Sequence, residues 1–347
     1  GQVLEPGCGS GQFLQAAPVG DSRLSDEIRL TGVELDPVTA LIAQQLNPQA
    51  RVRAESFADS PFADGTFDAV IGNVPFGKTA LHDPKHNADK HSLHNHFILK
   101  SLALTRPGGV VAVLTSRYTM DAQSDVARRA MFEQADLIGA VRLPTGAHRQ
   151  LAGTEVVTDL VMLRRRGPDE TPGDDSWVHT TTIDLTDRDG LNVPTVVNQW
   201  WEDHPEAVLG QMRLDHGMFN AHTLEVRSDG DVNVDFSRAV MTAVHAGRET
   251  GLTWTPATSD EAQPDAEMVV EAVARTGDIS TFHGHIAIDG DGFTRVVDGI
   301  REPLEVPDAQ RRELRELVGL RDVAVRLLDA EAASLEDTED IAALRLL

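Results

Sequence analysis

The stretch Asp68-Ala69-Val70-Ile71-Gly72-Asn73-Val74-Pro75-Phe76-Gly77 joins a short apolar run to four chemically distinct residues. The apolar run predicts a buried strand, and residues 73–76, here called the NVPF motif, follow it directly. The motif offers a side-chain amide, a backbone carbonyl, a rigid proline and an aromatic face on consecutive positions. Two hydrogen-bond acceptors beside an aromatic face suit a flat ring that carries an amino group.

A second turn lies upstream, where Glu5-Pro6-Gly7-Cys8-Gly9-Ser10-Gly11 closes another short strand. Glycines at alternate positions let backbone amides approach a ligand where a Cβ atom would clash. A dinucleotide-binding loop would place its third glycine at position 12, which is Gln12. Glu5 suits the amino group of a methionine moiety, and Glu34, at the end of the next predicted strand, suits two ribose hydroxyls. Alone, this loop leaves open a nicotinamide enzyme or a turn needed only for packing.

Taken together, the NVPF motif and the glycine loop (residues 7–11) predict methyl transfer from S-adenosylmethionine to an amino nitrogen. The nitrogen would bind at the motif, and the methyl donor would bind at the loop. The amine of a purine ring lies inside the duplex in DNA, so such a base would have to be flipped out.

Strand and helix signals alternate along residues 1–167, which favours a parallel sheet. We predict an α/β fold with a doubly wound, seven-stranded, mostly parallel, Rossmann-like sheet, whose last two strands have no helix between them. The predicted strands are residues 2–5, 31–36, 51–54, 67–72, 110–115, 137–143 and 156–163. A linker rich in Gly, Pro and Asp follows at residues 167–175.

Beyond the linker we expect a smaller, acidic α+β accessory region at residues 168–306 and a helical connector at residues 307–347. Two hairpins are predicted in the accessory region, one from residues 224–226 and 232–234 and the other from residues 286–288 and 293–297. Helices are expected near residues 237–246 and 267–274, and a long amphipathic helix is expected from Pro307 onward.

Charge is divided unevenly along the chain. Residues 1–167 hold 17 Lys and Arg against 18 Asp and Glu, whereas residues 168–347 hold 14 against 37. The net charge of -24 therefore does not argue against DNA binding by the first part. The single cysteine, Cys8, excludes an internal disulfide and favours a reducing cytoplasm. No apolar run approaches the ~20 residues that cross a bilayer.

Residues 77–92, here called the histidine-rich segment, and the helix predicted after them hold all four lysines of the chain and five histidines. Three interpretations stay open for this part: a loop over the substrate groove, a solvated surface, or a metal site. The sequence has no cysteine pairs and no closed zinc spacing, so no metal is predicted. The lysines could position phosphates of a nucleic acid.

The motifs resemble those of a known enzyme class. Residues 3–11 look like motif I of class I S-adenosylmethionine-dependent methyltransferases, and the NVPF motif looks like motif IV of N6-adenine DNA methyltransferases. Arg106-Pro107-Gly108-Gly109 is similar to their fifth-strand region. Residues 72–77, 92–97 and 152–155 resemble the methylase part of large methyltransferase-helicase polypeptides of phages and mobile elements.

The resemblance implies roles for individual residues. Glu5, Gly7, Gly9 and Gly11 would hold the methionine end of S-adenosylmethionine, and Glu34 would take the ribose hydroxyls. Glu55 or Phe57 would contact the adenine of the cofactor. Asn73, Val74, Pro75 and Phe76 would form the amine site, although the usual motif has proline in place of Val74.

The same resemblance implies DNA as the substrate and a helicase domain as a partner within a longer polypeptide. Enzymes of this class carry a helix ahead of motif I, so we expect a natural chain that begins before Gly1. Two alternatives stay open. The amide-accepting site could serve methylation of a glutamine in a protein, or the module could be catalytically idle and help a neighbouring helicase to grip DNA.

Overall fold

The computed structural model describes residues 1–16, 28–147, 156–216, 222–256, 285–297 and 300–333. The chain forms two compact units, Gly1–Ala272 and Val273–Leu347. The functional borders expected at residues 167 and 306 stay predictions. None of the helices in the described ranges combines the length and apolarity that a bilayer crossing requires.

A seven-stranded sheet with the strand order β3-β2-β1-β4-β5-β7-β6 forms the centre of the first unit. Strands β1 to β5 run parallel to one another, and β7 runs antiparallel to both β5 and β6. The strands are β1 (Gln2–Pro6), β2 (Arg29–Glu34), β3 (Arg51–Ala54), β4 (Phe67–Asn73), β5 (Thr105–Ser116), β6 (Ala135–Arg142) and β7 (Thr158–Arg165). The predicted doubly wound, mostly parallel fold of the class I methyltransferase type is confirmed.

Short helices connect these strands: α1 (Gln12–Ala16), α2 (Pro37–Leu46), α3 (Leu93–Leu104), α4 (Tyr118–Asp121) and α5 (Val126–Phe132). Helix α2 begins as its sequence predicts, because the Asp36 side chain accepts a hydrogen bond from the Thr39 amide and Pro37 occupies the first turn. Apolar residues of the central strands pack against α3 and form the main core, which includes Leu4, Val70, Val111, Phe97, Ile98 and Leu102.

The topology reverses between β1 and β4, since β2 and β3 extend the sheet on one side and β5 extends it on the other. In open parallel sheets, ligands bind at such a switch point, beyond the carboxyl ends of the strands. The glycine loop follows β1 and the NVPF motif follows β4, so the fold brings the two predicted motifs to the same edge.

The first unit continues past the sheet with β8 (Thr180–Thr186), β9 (Asn192–Asn198), α6 (Gln199–Asp203), β10 (Gln211–His216), β11 (His222–Arg227) and α7 (Val232–Glu249). Helix α7 packs on β6 at Gly139, where an added Cβ would lie 2.7 Å from Ala243 Cβ. The Asn198 side chain donates hydrogen bonds of 2.8 Å to the Met120 and Trp177 carbonyls. This later part of the unit is therefore fixed to the sheet by buried contacts.

The second unit holds β12 (Ile286–Asp289), β13 (Gly292–Val297) and β14 (Ile300–Leu304), which pair antiparallel, followed by α8 (Asp308–Ala333). The hairpin predicted at residues 286–297 and the long C-terminal helix are confirmed. The Arg315 guanidinium lies 5.5 Å from the Phe293 ring centroid, which joins the helix to the sheet.

The hairpin predicted from residues 224–226 and 232–234 is wrong. Strand β11 pairs with β10, which precedes it in the chain. Residues 232–234 instead open α7, because the Asp231 side chain accepts hydrogen bonds from the Asn233 and Val234 amides and caps the helix. The helix expected near residues 237–246 is confirmed as part of α7, and the one expected near residues 267–274 lies outside the described residues.

Candidate active site

The glycine loop adopts the backbone that its glycines predict. Gly7, Gly9 and Gly11 have φ angles of 66°, 54° and 79°, in the region that side chains with a Cβ rarely adopt. At Gly11 an added Cβ would also lie 2.4 Å from Asn47 Nδ2, whereas at Gly9 no described atom lies within 4 Å of that position. Gly9 therefore borders open space on the face where a ligand would approach.

Glu34 lies beside this loop, as predicted. Its Oε2 accepts a hydrogen bond of 2.9 Å from the Gly9 amide, and its Oε1 accepts one of 2.9 Å from the Asp36 amide. Each carboxylate oxygen can accept more than one hydrogen bond. The backbone thus fixes the orientation of the Glu34 carboxylate and leaves acceptor capacity for the two hydroxyls of a ribose.

Glu5 ends β1 at the same place and is only 2% exposed. Its Oε2 accepts a hydrogen bond of 3.1 Å from the Leu14 amide in α1. Burial raises the pKa of Glu5 to about 8, against the smaller opposing effect of the amides of Leu14 and Phe13. A cation that arrives beside this buried carboxyl would favour its ionised form.

The NVPF motif lies directly against the glycine loop. A Cβ built on Gly7 would lie 3.6 Å from Pro75 Cδ, and one built on Gly72 would lie 3.4 Å from Glu5 Cγ. The position of the motif is fixed by β5, because Asn73 pairs with Leu114 and the Val74 amide donates to the Leu114 carbonyl at 3.0 Å.

Within the motif, the side chains divide between the core and the surface. Val74 is buried, whereas Asn73 is exposed and Phe76 is 39% exposed. In the described part of the chain, no protein group forms a hydrogen bond with the side-chain amide of Asn73. One aromatic face and one amide are therefore free to contact a substrate.

Glu55 and Phe57, the two residues expected near the cofactor adenine, are engaged with the protein. The Glu55 carboxylate receives hydrogen bonds of 2.6 and 2.9 Å from the Arg53 guanidinium. Phe57 is buried, with its ring centroid 4.8 Å from that of Phe97. Both belong to the segment that follows β3, and their roles toward a cofactor stay predictions.

The histidine-rich segment is anchored by a buried carboxylate, Asp83. Its Oδ2 lies 3.1 Å from Lys100 Nζ, 3.1 Å from His96 Nε2 and 3.4 Å from His86 Nδ1. Burial alone would raise the pKa of Asp83, but hydrogen bonds from His86 and His96 and the charge of Lys100 outweigh it and hold the pKa well below its usual range.

Lys100 also joins two parts of the site. It donates to the Ala58 and Ser60 carbonyls, next to Phe57, at 2.9 and 3.4 Å. Since Lys100 is buried in this way, it does not face a nucleic acid. Among the described residues, no group of three or more His, Cys, Asp or Glu side chains is arranged to hold a metal ion.

The sequence analysis did not identify Asp83 and Lys100 as a buried ion pair. It also did not consider Arg117 and Tyr118, which follow β5, the strand that pairs with β4. The position of Tyr118, just past a continuous apolar run, was a usable signal, since residues that follow the strands of a parallel sheet lie at its ligand-binding edge. Residues 152–155, part of the resemblance above, lie outside the described ranges.

Comparisons with known proteins show that the chain is similar to methyltransferases. The model of the family Eco57I restriction-modification methylase matches residues 25–146, a range that includes Glu34 and the NVPF motif and begins after the glycine loop. This match and the phage relative described below confirm the predicted resemblance to the methylase part of large phage polypeptides. A match to a methylase also supports S-adenosylmethionine as the cofactor, in keeping with the free space at Gly9 and the buried carboxyl of Glu5.

One similar protein is the defense against restriction protein B of Escherichia phage P1. The two are 29% identical over 287 residues, which cover 79% of this chain and 12% of the phage protein. The chain thus spans about an eighth of the length of this relative.

Solved structures with a similar fold include two methyltransferases. A Listeria monocytogenes protein assigned to the class I S-adenosylmethionine-dependent methyltransferases is 20% identical with a TM-score of 0.42, and the match covers 50% of this chain and 56% of that one. The methyltransferase subunit of a type I restriction-modification system from Streptococcus thermophilus is 17% identical with a TM-score of 0.41, over 51% and 46% of the two chains. At such scores, the fold class rests on the strand order of this chain itself.

Proposed function

We propose that the chain transfers the methyl group of S-adenosylmethionine to the N6 amine of an adenine flipped out of DNA. The observation that carries the proposal is the contact between the two motifs, with Pro75 Cδ 3.6 Å from the Cβ position of Gly7. The methyl donor and the acceptor amine would therefore meet at one point of the sheet edge. The match to a restriction-modification methylase family supports DNA as the substrate.

S-adenosylmethionine supplies an electrophilic methyl group on a sulfonium when it is bound. On the protein side, Glu5 would receive the ammonium of the methionine moiety and Glu34 would accept the ribose hydroxyls. The backbone amides of the glycine loop allow close approach. The contribution of these residues is to fix the position of the methyl group, and orientation of this kind accounts for a large part of the rate in two-substrate reactions.

The acceptor amine needs help because its lone pair is delocalised into the purine ring. The Asn73 side-chain oxygen and the Val74 carbonyl would each accept one amine hydrogen. These two dipoles favour a tetrahedral nitrogen, whose lone pair is free to attack the methyl carbon. Such placed dipoles stabilise the charge that develops during the reaction. No strong base is required before the attack. As the nitrogen–carbon bond forms, the bond between the methyl carbon and sulfur would break and S-adenosylhomocysteine would leave, and the methylated nitrogen would then release one proton to solvent.

Phe76 would stack on the extruded adenine through its exposed face. Base–aromatic stacking contributes about 1–3 kcal/mol per base. Extrusion itself costs a few kcal/mol of lost pairing and stacking. Stacking of the adenine on the Phe76 ring would offset part of that cost.

The test is a transfer assay with tritiated S-adenosylmethionine, unmethylated duplex DNA and the 347-residue chain. We expect label in N6-methyladenine after the DNA is digested to nucleosides. Asn73→Ala should reduce the rate about 100-fold or more, by analogy with the removal of one placed dipole from other enzymes. Asn192→Ala, which removes an exposed asparagine from β9, is the matched control and should leave the rate unchanged.

Three outcomes would contradict the proposal. Label in a cytosine product would exclude the adenine assignment. Label in a glutamine-containing peptide in preference to DNA would select protein methylation. Full activity of Asn73→Ala would show that the NVPF motif does not hold the amine.

A further inference from the structure

Tyr118 is the only tyrosine of the chain and lies at the ligand-binding edge of the sheet. Asn73 pairs with Leu114 across β4 and β5, and Tyr118 follows four residues after Leu114. Neighbouring strands are about 4.8 Å apart, so the residues that leave the end of β5 lie beside those that leave the end of β4. The Tyr118 side chain is 53% exposed.

The ring is held in place by its neighbour. The Arg117 guanidinium lies 4.3 Å from the centroid of the Tyr118 ring, and its Nη2 donates a hydrogen bond of 3.2 Å to the Tyr118 hydroxyl. An arginine over one aromatic face forms a cation–π contact and leaves the other face open.

Arg117 is in turn tied to the buried interior. Its Nη1 donates to Asp121 Oδ2 at 3.4 Å, and Asp121 is buried. Asp121 also binds Arg142 Nη2 at 2.8 Å and accepts a hydrogen bond of 3.0 Å from Trp201 Nε1. The orientation of the exposed ring thus depends on a chain of contacts that ends in the core, which is how a binding side chain is preorganised.

We propose that Tyr118 is a DNA-contacting residue whose open face stacks on a base of the strand that carries the target adenine. The inference rests on the proposed function, since it takes DNA as the substrate of this edge. A base next to an extruded nucleotide has lost a stacking partner, and an aromatic side chain can replace that partner whatever the base is. Tyr118 would therefore strengthen DNA binding without selecting a sequence.

A second pair of an arginine and an aromatic ring, at the start of β5, provides a matched control. Trp254 is 49% exposed, and the Arg106 guanidinium lies 5.4 Å from its ring. Arg106 is in β5 near its start, so this second pair of an arginine and an aromatic ring lies at the amino edge of the sheet. The chemistry of the two pairs is similar, and only one of them is at the edge where ligands bind.

The experiment measures the affinity of the whole chain for a fluorescein-labelled, mixed-sequence duplex by fluorescence anisotropy, without a methyl donor. Tyr118→Ala should raise the Kd about tenfold, the effect expected from the loss of one base stack. Tyr118→Phe and Tyr118→Trp keep an aromatic face and should stay within about twofold of the wild type. Trp254→Ala should not change the Kd, and thermal unfolding should show that all four variants are folded.

An unchanged Kd for Tyr118→Ala would overturn the inference, as would equal losses for Tyr118→Ala and Trp254→Ala. A Tyr118→Phe variant that binds as poorly as Tyr118→Ala would also overturn it, because the ring would then not be the binding element. Binding that depends on Tyr118, in a chain that transfers no methyl group, would defeat only the proposed function. Methylation of DNA with unchanged binding by Tyr118→Ala would defeat only the present inference.

Discussion

Glu5 and Asp83 are both buried carboxylates of the first unit, and the protein partners them in opposite ways. Glu5 accepts a backbone amide hydrogen bond from Leu14, and burial raises its pKa to about 8. Asp83 is surrounded by Lys100, His96 and His86, which outweigh the effect of burial and hold its pKa well below the usual range.

We interpret this difference as one between the proposed ligand site at Glu5 and a structural site at Asp83. Asp83 has the Lys100 cation beside it within the fold, so its charge stabilises the histidine-rich segment and needs no cation from outside. Glu5 has no such cation among the residues that shift its pKa, and a ligand that carries an ammonium would supply one. Burial of a carboxylate is therefore less informative about function than the partners it has, in line with the clustering of perturbed pKa values at functional sites.

The largest effect that tests this contrast is expected on stability. Asp83→Ala would leave the buried Lys100 without its carboxylate, and breaking a buried ion pair in this way costs about 3–5 kcal/mol. The loss should appear in the free energy of unfolding measured by urea denaturation. Asp125→Ala, which removes an exposed ion pair with Arg129, should cost far less, because solvent screens exposed charges. Similar losses for the two variants would show that Asp83 is not the anchor of its segment.

Between about pH 4.5 and pH 8, we expect ionisation of Glu5, and not of Asp83, to change the free energy of unfolding with pH. The pKa of Glu5 is about 8 in the folded state and has a reference value of 4.5, so the folded protein keeps a proton that the unfolded chain releases. The stabilisation is full below about pH 4.5 and is lost as the pH rises to about 8, by on the order of 1 kcal/mol per pH unit. The pKa of Asp83 is lowered, so its contribution is constant over this range and is lost only in acid.

The measurement is the free energy of unfolding of the wild type and of Glu5→Gln between pH 5 and pH 8. The variant cannot ionise at this position. As the pH rises from 5 to 8, its free energy of unfolding should therefore increase by up to about 3 kcal/mol relative to that of the wild type. If the difference in the free energy of unfolding between the two proteins does not change with pH, Glu5 is already ionised in the free protein.

Much of this arrangement was predictable from local sequence, because the strands of a buried parallel sheet are continuous apolar runs. The strand at Arg51–Ala54 was predicted with the bounds that it has, and the switch point followed from the order of strands and helices. The two halves of the candidate site were recognisable because each requires particular residue types on consecutive positions.

The wrong predictions arose where a local sequence pattern was compatible with two different structures. Residues 232–234 read Val-Asn-Val, which alternates like a strand, yet they begin α7 because Asp231 caps the helix and the apolar residues after it pack on β6. Lys100 was expected to be available to phosphates, and its burial could not be foreseen, since Asp83 is 17 residues away and the contact depends on how the segment folds back. The location of Tyr118 relative to the NVPF motif could be predicted only by knowing which strand lies next to β4.

The most direct test of the central claim is calorimetric titration of S-adenosylmethionine into the wild type and into Glu5→Gln at pH 7, in two buffers with different ionisation enthalpies. With a pKa of about 8, Glu5 is mostly protonated in the free protein, and the incoming ammonium should expel that proton. The account predicts that the wild type releases nearly one proton on binding, and that Glu5→Gln releases none and binds about 10- to 100-fold more weakly. Equal affinity and equal proton release for the two proteins would contradict it.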